Sequence, residues 1–184
     1  MENHNFKALF HIAVLEHYAG ILKATNCFQA RLINLHFEGK ARLGSNLRQT
    51  RQVLDSLKKE VACQVRFEKT KLFPFLVRHI PKLEPAISFL KAEHGEFNAQ
   101  IKYFEKTFEQ FRKAGLTHAE TSKELFEAGR YLICLLRHHI QAENKIYAAM
   151  TEDLRDHERV ELKDLFETEK SHERPKKGNQ RVNR

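Results

Sequence analysis

The chain has 184 residues, enough for one domain with a sizeable core, and a formal net charge of +8 with 11 histidines. Gly (7) and Pro (4) are scarce, Trp is absent and Phe (14) carries the aromatic packing, a composition that favours helix over sheet. No apolar run nears the ~20 residues that span a bilayer. Glu and His interrupt MENHNFKALFHIAVLEH too often for a signal peptide, and three scattered cysteines (Cys27, Cys63, Cys134) without a CxxC pair read as small core residues in a reducing, cytoplasmic setting.

The first predicted helix runs from about Phe6 to Leu35, with Phe6, Phe10, Ala13, His17, Ile21, Ala24, Phe28 and Leu35 on one face. EGKARLGSN is then a loop, and Ser45 or Asn46 is placed to cap the next helix. That second helix continues to about Leu76 with the stripe Leu54, Leu57, Val61, Gln64, Glu68, Leu72 and Phe75, and Pro74 bends or ends it in its last turn. RHIPKLEP is a linker. The third helix begins near Ala86 and carries Leu90, His94, Phe97, Ile101, Phe104, Phe108 and Phe111. It stops at KAGLTH, where Gly115 suits a left-handed cap.

The fourth helix spans about Ala119 to Met150, with Leu125, Ala128, Leu132, Leu135, His139, Glu143, Ile146 and Met150 in one stripe. DLRDHERVELKDLFETEKSHE is a shorter amphipathic segment laid against the others. ERPKKGNQRVNR has five basic residues against one acid and no apolar period, so residues 1–172 read as the domain and 173–184 as a basic, disordered tail. Long helices, short loops and narrow apolar stripes describe an all-α, up-down-up-down four-helix bundle with an additional C-terminal amphipathic helix.

Each of the four stripes holds polar residues at core positions: His17, then Gln64 with Glu68, then His94, then His139 with Glu143. A buried, unpaired imidazole or carboxylate costs several kcal/mol, roughly, unless something neutralises it. At ~1.5 Å of rise per residue, neighbours in an antiparallel bundle bring all four groups within about 10 Å of one another in height. The two halves also repeat. His17 and His94 are 77 positions apart, while Gln64 to His139 and Glu68 to Glu143 are both 75. Imidazoles and carboxylates that converge inside a bundle form a site for a first-row transition metal, Fe, Mn or Zn among them, and the cation removes the burial penalty. His4, His11, His79, His118, His157 and His172 lack such partners in register, and His138 lies about 100° around the helix from His139.

This pattern resembles the hemerythrin-like, HHE cation-binding family, over roughly residues 6 to 170. That family carries in each half a His, then a helix with HxxxE shortly before a Leu-Phe-Pro-like run. The second half here offers His94 and HIQAENKIYAAM; the first offers His17 and QVRFEKTKLFPF, in which Leu72-Phe73-Pro74 matches the run and Glu68 the acid. The resemblance implies a non-haem di-iron centre in which Glu68 and Glu143 bridge, His17 serves one iron, and His94 with His139 serves the other. Gln64 stands where the family has its first-half histidine. An amide oxygen is the weaker donor, so this departure implies a Gln64-ligated pair, a labile pair, or a single ion on the His94 side. His36, about 28 Å of helix away from His17, is a remote rescue ligand.

The resemblance further implies O2 or NO binding, redox or iron sensing, or iron handling. A helical interaction protein with a vestigial metal site and a basic surface for an acidic partner is the alternative reading, and a di-metal oxidase or hydrolase is the third. No nucleic-acid motif, Gly-rich phosphate loop or nucleophile motif accompanies the charge.

Overall fold

The computed structural model describes residues 2–38, 42–114, 119–150 and 152–173. The side chains of Phe6, Phe10, Ala13 and His17, the Gly115 cap and residues 174–184 of the tail lie outside the described set. The elements are α1 (Glu2–Phe37), α2 (Leu43–Phe67), a π turn (Glu68–Leu72), α3 (Phe73–His79), a 3-10 turn (Pro81–Leu83), α4 (Glu84–Ala114), α5 (Ala119–Met150) and α6 (Asp156–Glu173). No strand occurs among the described residues, and none of their helices is long and apolar enough to cross a membrane. α1 packs along α2 and α5, and α4 packs along α5 and the α2–α3 rod. This closes the four-helix bundle expected from the stripes.

The core follows those stripes closely on α2 and α4. Leu54, Leu57, Val61, Gln64, Glu68, Leu72 and Phe75 are all buried, as are Leu90, His94, Phe97, Ile101, Phe104, Phe108 and Phe111. On α5 Leu125, Ala128, Leu132, His139, Glu143 and Met150 are buried as expected, and the stripe departs at two positions. Leu136 and Tyr147 are buried, whereas Leu135 and Ile146 are only half-buried. Gly129 marks a close approach of α5 to its neighbours: a Cβ there would fall 2.5 Å from Leu32 Cδ2 and 3.1 Å from Phe104 Cε2.

Pro74 does not end the second rod. Phe73 donates its backbone N–H to Glu68 O, five residues back, so the helix widens by one residue ahead of the proline and continues as α3. The wide turn begins at Glu68, and it lets both Leu72 and Phe73 face the core below it. The loop before α2 also differs from expectation. α2 starts at Leu43 with no side-chain cap at Arg42. Asn46 instead reaches backwards, its amide donating to Asn34 O (3.3 Å) and Glu38 Oε2 (3.1 Å), so it closes the end of α1.

The cysteines are not core residues. Cys27 and Cys134 are exposed and Cys63 is half-buried, because each lies beside rather than on its helix's apolar stripe. α6 lies against α1 and the π turn, with Leu162 and Phe166 buried and the Phe166 ring edge-on to Phe67 at 5.2 Å. Its first turn is fixed by Glu158, which accepts from the Arg155 backbone N–H at 2.7 Å and lies 3.0 Å from His79 Nδ1 at the end of α3.

Candidate metal centre

The π turn, α4 and α5 bring three buried groups to one point. Glu68 Oε2 lies 2.6 Å from His94 Nε2 and 3.7 Å from His139 Nε2, and the candidate donor atoms of the three residues fall within 4.8 Å of one another. Glu143, one helical turn beyond His139 on α5, places Oε2 3.7 Å from the same His139 nitrogen. Glu68 and Glu143 are 0% exposed, His94 1% and His139 2%, so solvent does not satisfy them.

Hydrogen bonding within the protein leaves four of their atoms unsatisfied. Glu68 Oε2, both ring nitrogens of His94 and Nε2 of His139 have no hydrogen bond among the described residues. The 2.6 Å approach of His94 to Glu68 is short enough, but its angles are not those of a hydrogen bond. A buried polar atom left without a partner costs about 1–3 kcal/mol. Here several such atoms point at a common focus, and two imidazole nitrogens with carboxylate oxygens are a donor set that suits a first-row transition metal. The residues present fit a cation.

The electrostatics express the same crowding. Burial alone would raise the Glu68 carboxyl, but the imidazoles of His139 and His94 outweigh it and lower the group to about 2. Burial would lower His139, yet Glu68 first, then Glu143, raises it to about 9. Glu143 is held well above the usual carboxylate range by burial and by the Glu68 charge beside it. Two acids so close cannot both ionise cheaply without a counter-charge.

The supports around the centre are unequal. His139 Nδ1 lies 2.7 Å from Glu93 Oε2, whose other oxygen is 3.3 Å from Nδ1 of the exposed His138. This carboxylate fixes the His139 ring so that Nε2 faces inwards. His94 is instead held by packing, stacked on Phe73 at 5.7 Å. Gln64 is buried and its amide nitrogen donates to Glu68 Oε1, so one oxygen of Glu68 is engaged by the amide and the other faces the histidines.

The family model of the hemerythrin HHE cation binding domain matches residues 11–151. The chain belongs to that family. Comparisons with curated proteins and with solved structures yield no match. The family assignment and the buried Glu68–His94–His139 group together make this a metal-binding protein of hemerythrin type.

Of the residues expected to serve this hemerythrin-type site, Glu68, His94, His139 and Glu143 come together, with Gln64 adjoining Glu68. His17 belongs to α1, between the buried Val14 and Tyr18, and its side chain lies outside the described residues. His36 does not adjoin the centre. It stacks on Phe126 at 4.3 Å, with Nδ1 3.4 Å from Ser122 Oγ, and Ser122 is about 25 Å of helix from His139.

Three residues around the hemerythrin-type centre were not anticipated: Glu93, Tyr18 and Tyr147. Glu93 adjoins His94 in AEHGEF, and Tyr147 stands four residues after Glu143, spacings that carry a signal in sequence. Tyr18 finds its partner 125 positions away, and nothing local announces it. If Glu93 orients His139, Glu93→Gln is expected to weaken metal binding about 10- to 100-fold while leaving the fold intact. A competition titration against a chromophoric chelator reads this directly, and unchanged affinity would detach Glu93 from the centre.

Proposed function

We propose that this hemerythrin HHE domain binds non-haem iron in two unequal positions and acts in redox or iron sensing, or in iron handling, in a reducing, cytoplasmic setting. The first position is held by His94, His139 and Glu68. The second is held by His17 with Glu143, with Glu68 shared between the two. The observation that carries the reading is the pair of inward-facing imidazole nitrogens on one carboxylate oxygen, all buried and without hydrogen bonds among the described residues.

Inequality follows from Gln64. Its amide occupies Glu68 Oε1, the oxygen that a bridging carboxylate would turn to the second ion. A neutral amide also adds less donor strength than an imidazole at that place. The ion beside His17 is therefore the labile one. Iron in such a site supplies coordination of a diatomic such as O2 or NO together with one-electron chemistry. The chain's own contribution is to exclude water, with Phe73 stacked on His94 and Phe97 edge-on to His139 at 4.8 Å. Glu93 meanwhile keeps the His139 proton on Nδ1, leaving Nε2 to face the centre.

Metal analysis of protein made in iron-replete cells tests the reading. The expected result is one iron per chain that survives a weak chelator and a second that does not, with Gln64→His retaining both. Two irons of equal tightness in the wild-type chain contradict the unequal pair. Zinc or manganese retained in preference to iron under the same supply contradicts the choice of metal.

A further inference from the structure

Glu143 is gripped in a way that Glu68 is not. Tyr18 donates to Glu143 Oε2 at 2.6 Å, Tyr147 donates to Oε1 at 3.2 Å, and the two phenol oxygens are 3.1 Å apart. Both tyrosines are buried, at 1% and 4% exposure, and their rings stack at 6.4 Å. Each phenol has a single proton. The contact between the phenols runs from Tyr18 to Tyr147, so the Tyr18 proton faces both Glu143 Oε2 and the Tyr147 oxygen while Tyr147 turns its own to Oε1.

We infer that Tyr18 and Tyr147 are positioning residues for the metal centre: a two-phenol clasp that holds Glu143 in a single orientation for an entering cation. The inference rests on the metal-binding reading above and adds to it the means by which the second acid is prepared. Glu68 is flanked by imidazoles, which supply positive charge. Glu143 shares His139 at 3.7 Å and in addition carries two neutral phenol donors, which supply hydrogen bonds without competing for the cation. The clasp draws one prong from α1 and one from α5, so it also aligns the α1 side of the centre with the α5 side.

A bare structural role, pinning α1 to α5, makes a different prediction, and Tyr→Phe separates the two because it keeps the ring packing. For Tyr18→Phe and Tyr147→Phe, affinity for Fe(II), titrated without oxygen, is expected to fall about 10- to 100-fold each. The melting temperature of the chelator-treated proteins should stay within a few degrees of wild type, while the rise on adding Fe(II) should shrink. A lower melting temperature in chelator with an unchanged Fe(II)-induced rise would make the tyrosines structural pins and overturn the proposal. A phenolate-to-iron charge-transfer band in the oxidised wild type, lost in Tyr18→Phe, would also overturn it by making Tyr18 a ligand.

The same titrations with Zn(II) keep the two readings distinct. If the wild type takes up Zn(II) but not Fe(II), the iron reading fails and the clasp is judged on Zn(II). If wild type and variants bind the ion equally, the clasp alone fails. A wild-type chain that binds neither ion overturns both.

Discussion

Replacing Glu68 by Gln is expected to abolish most of the stability that the protein draws from its metal. Glu68 is the residue on which His94 and His139 converge, at 2.6 and 3.7 Å, and it is fully buried. A ligand present at 100 to 1,000 times its dissociation constant stabilises the folded state by about 3–4 kcal/mol. For a chain of this size, that amounts to roughly 10 °C in melting temperature. Chelator should therefore lower the melting temperature of loaded wild-type protein by about that much and leave Glu68→Gln nearly unmoved. Glutamine keeps the shape of the side chain but not the charge that pairs with His139, so the metal-free variant is expected to melt below metal-free wild type near and below neutral pH, and the chelator shift is the measure of the site. Equal chelator shifts in the two proteins would remove Glu68 from the site.

The second large effect is a dependence on pH that metal should reverse. In the metal-free protein, His139 has its folded pKa raised from 6.5 to about 9. Between those values the folded state binds a proton that the unfolded state does not, so stability falls as pH rises. The contribution is fully present below 6.5 and lost through about 9, with a ceiling on the order of 3 kcal/mol. Glu143 acts in the same sense, since its pKa is also raised, by burial and then by Glu68. Glu68 works oppositely and at the acid end: lowered to about 2, it contributes above 4.5 and is lost as pH falls through 2.

A cation must displace the His139 proton to use that nitrogen, so its affinity climbs with pH over the window in which the metal-free fold weakens. Melting curves from pH 6.5 to 9, with and without chelator, should diverge as pH rises. Parallel curves would mean that this proton and the metal do not compete. In Glu68→Gln the downward slope of the metal-free curve should flatten, because the anion that raises His139 is gone.

Much of this arrangement was readable in residue spacing. The α2 and α4 stripes run through positions that are buried throughout, and they deliver Glu68 and His94 to the same level. Matching offsets between the halves marked His139 and Glu143 as well. What escaped depended on small rotations or distant partners. On α5, Leu136 and Tyr147 take the buried places expected of Leu135 and Ile146, and the Tyr147 contact with Glu143 follows from their four-residue spacing. Asn46 looked like a cap for the helix after it and serves the helix before it, because its donors meet Asn34 O and Glu38. Small apolar residues such as cysteine carry no directional signal, and the three thiols lie off the stripes.

A proline cannot supply the next rung of an α-helical ladder, which is why Pro74 reads in the sequence as a bend or an end. The wide turn at Glu68–Leu72 accommodates it by holding one residue more than a regular helix would over the same rise. That surplus residue acts as a phase shifter. Excising one of Lys69, Thr70 or Lys71 would swing Phe73, Phe75 and Leu76 by about 100° against Glu68, so the acid and the aromatic wall beside His94 could no longer both face inwards. The angular setting between a donor group and the apolar lining around it is thus encoded in the length of a lysine-bearing stretch that itself stays outside the cavity.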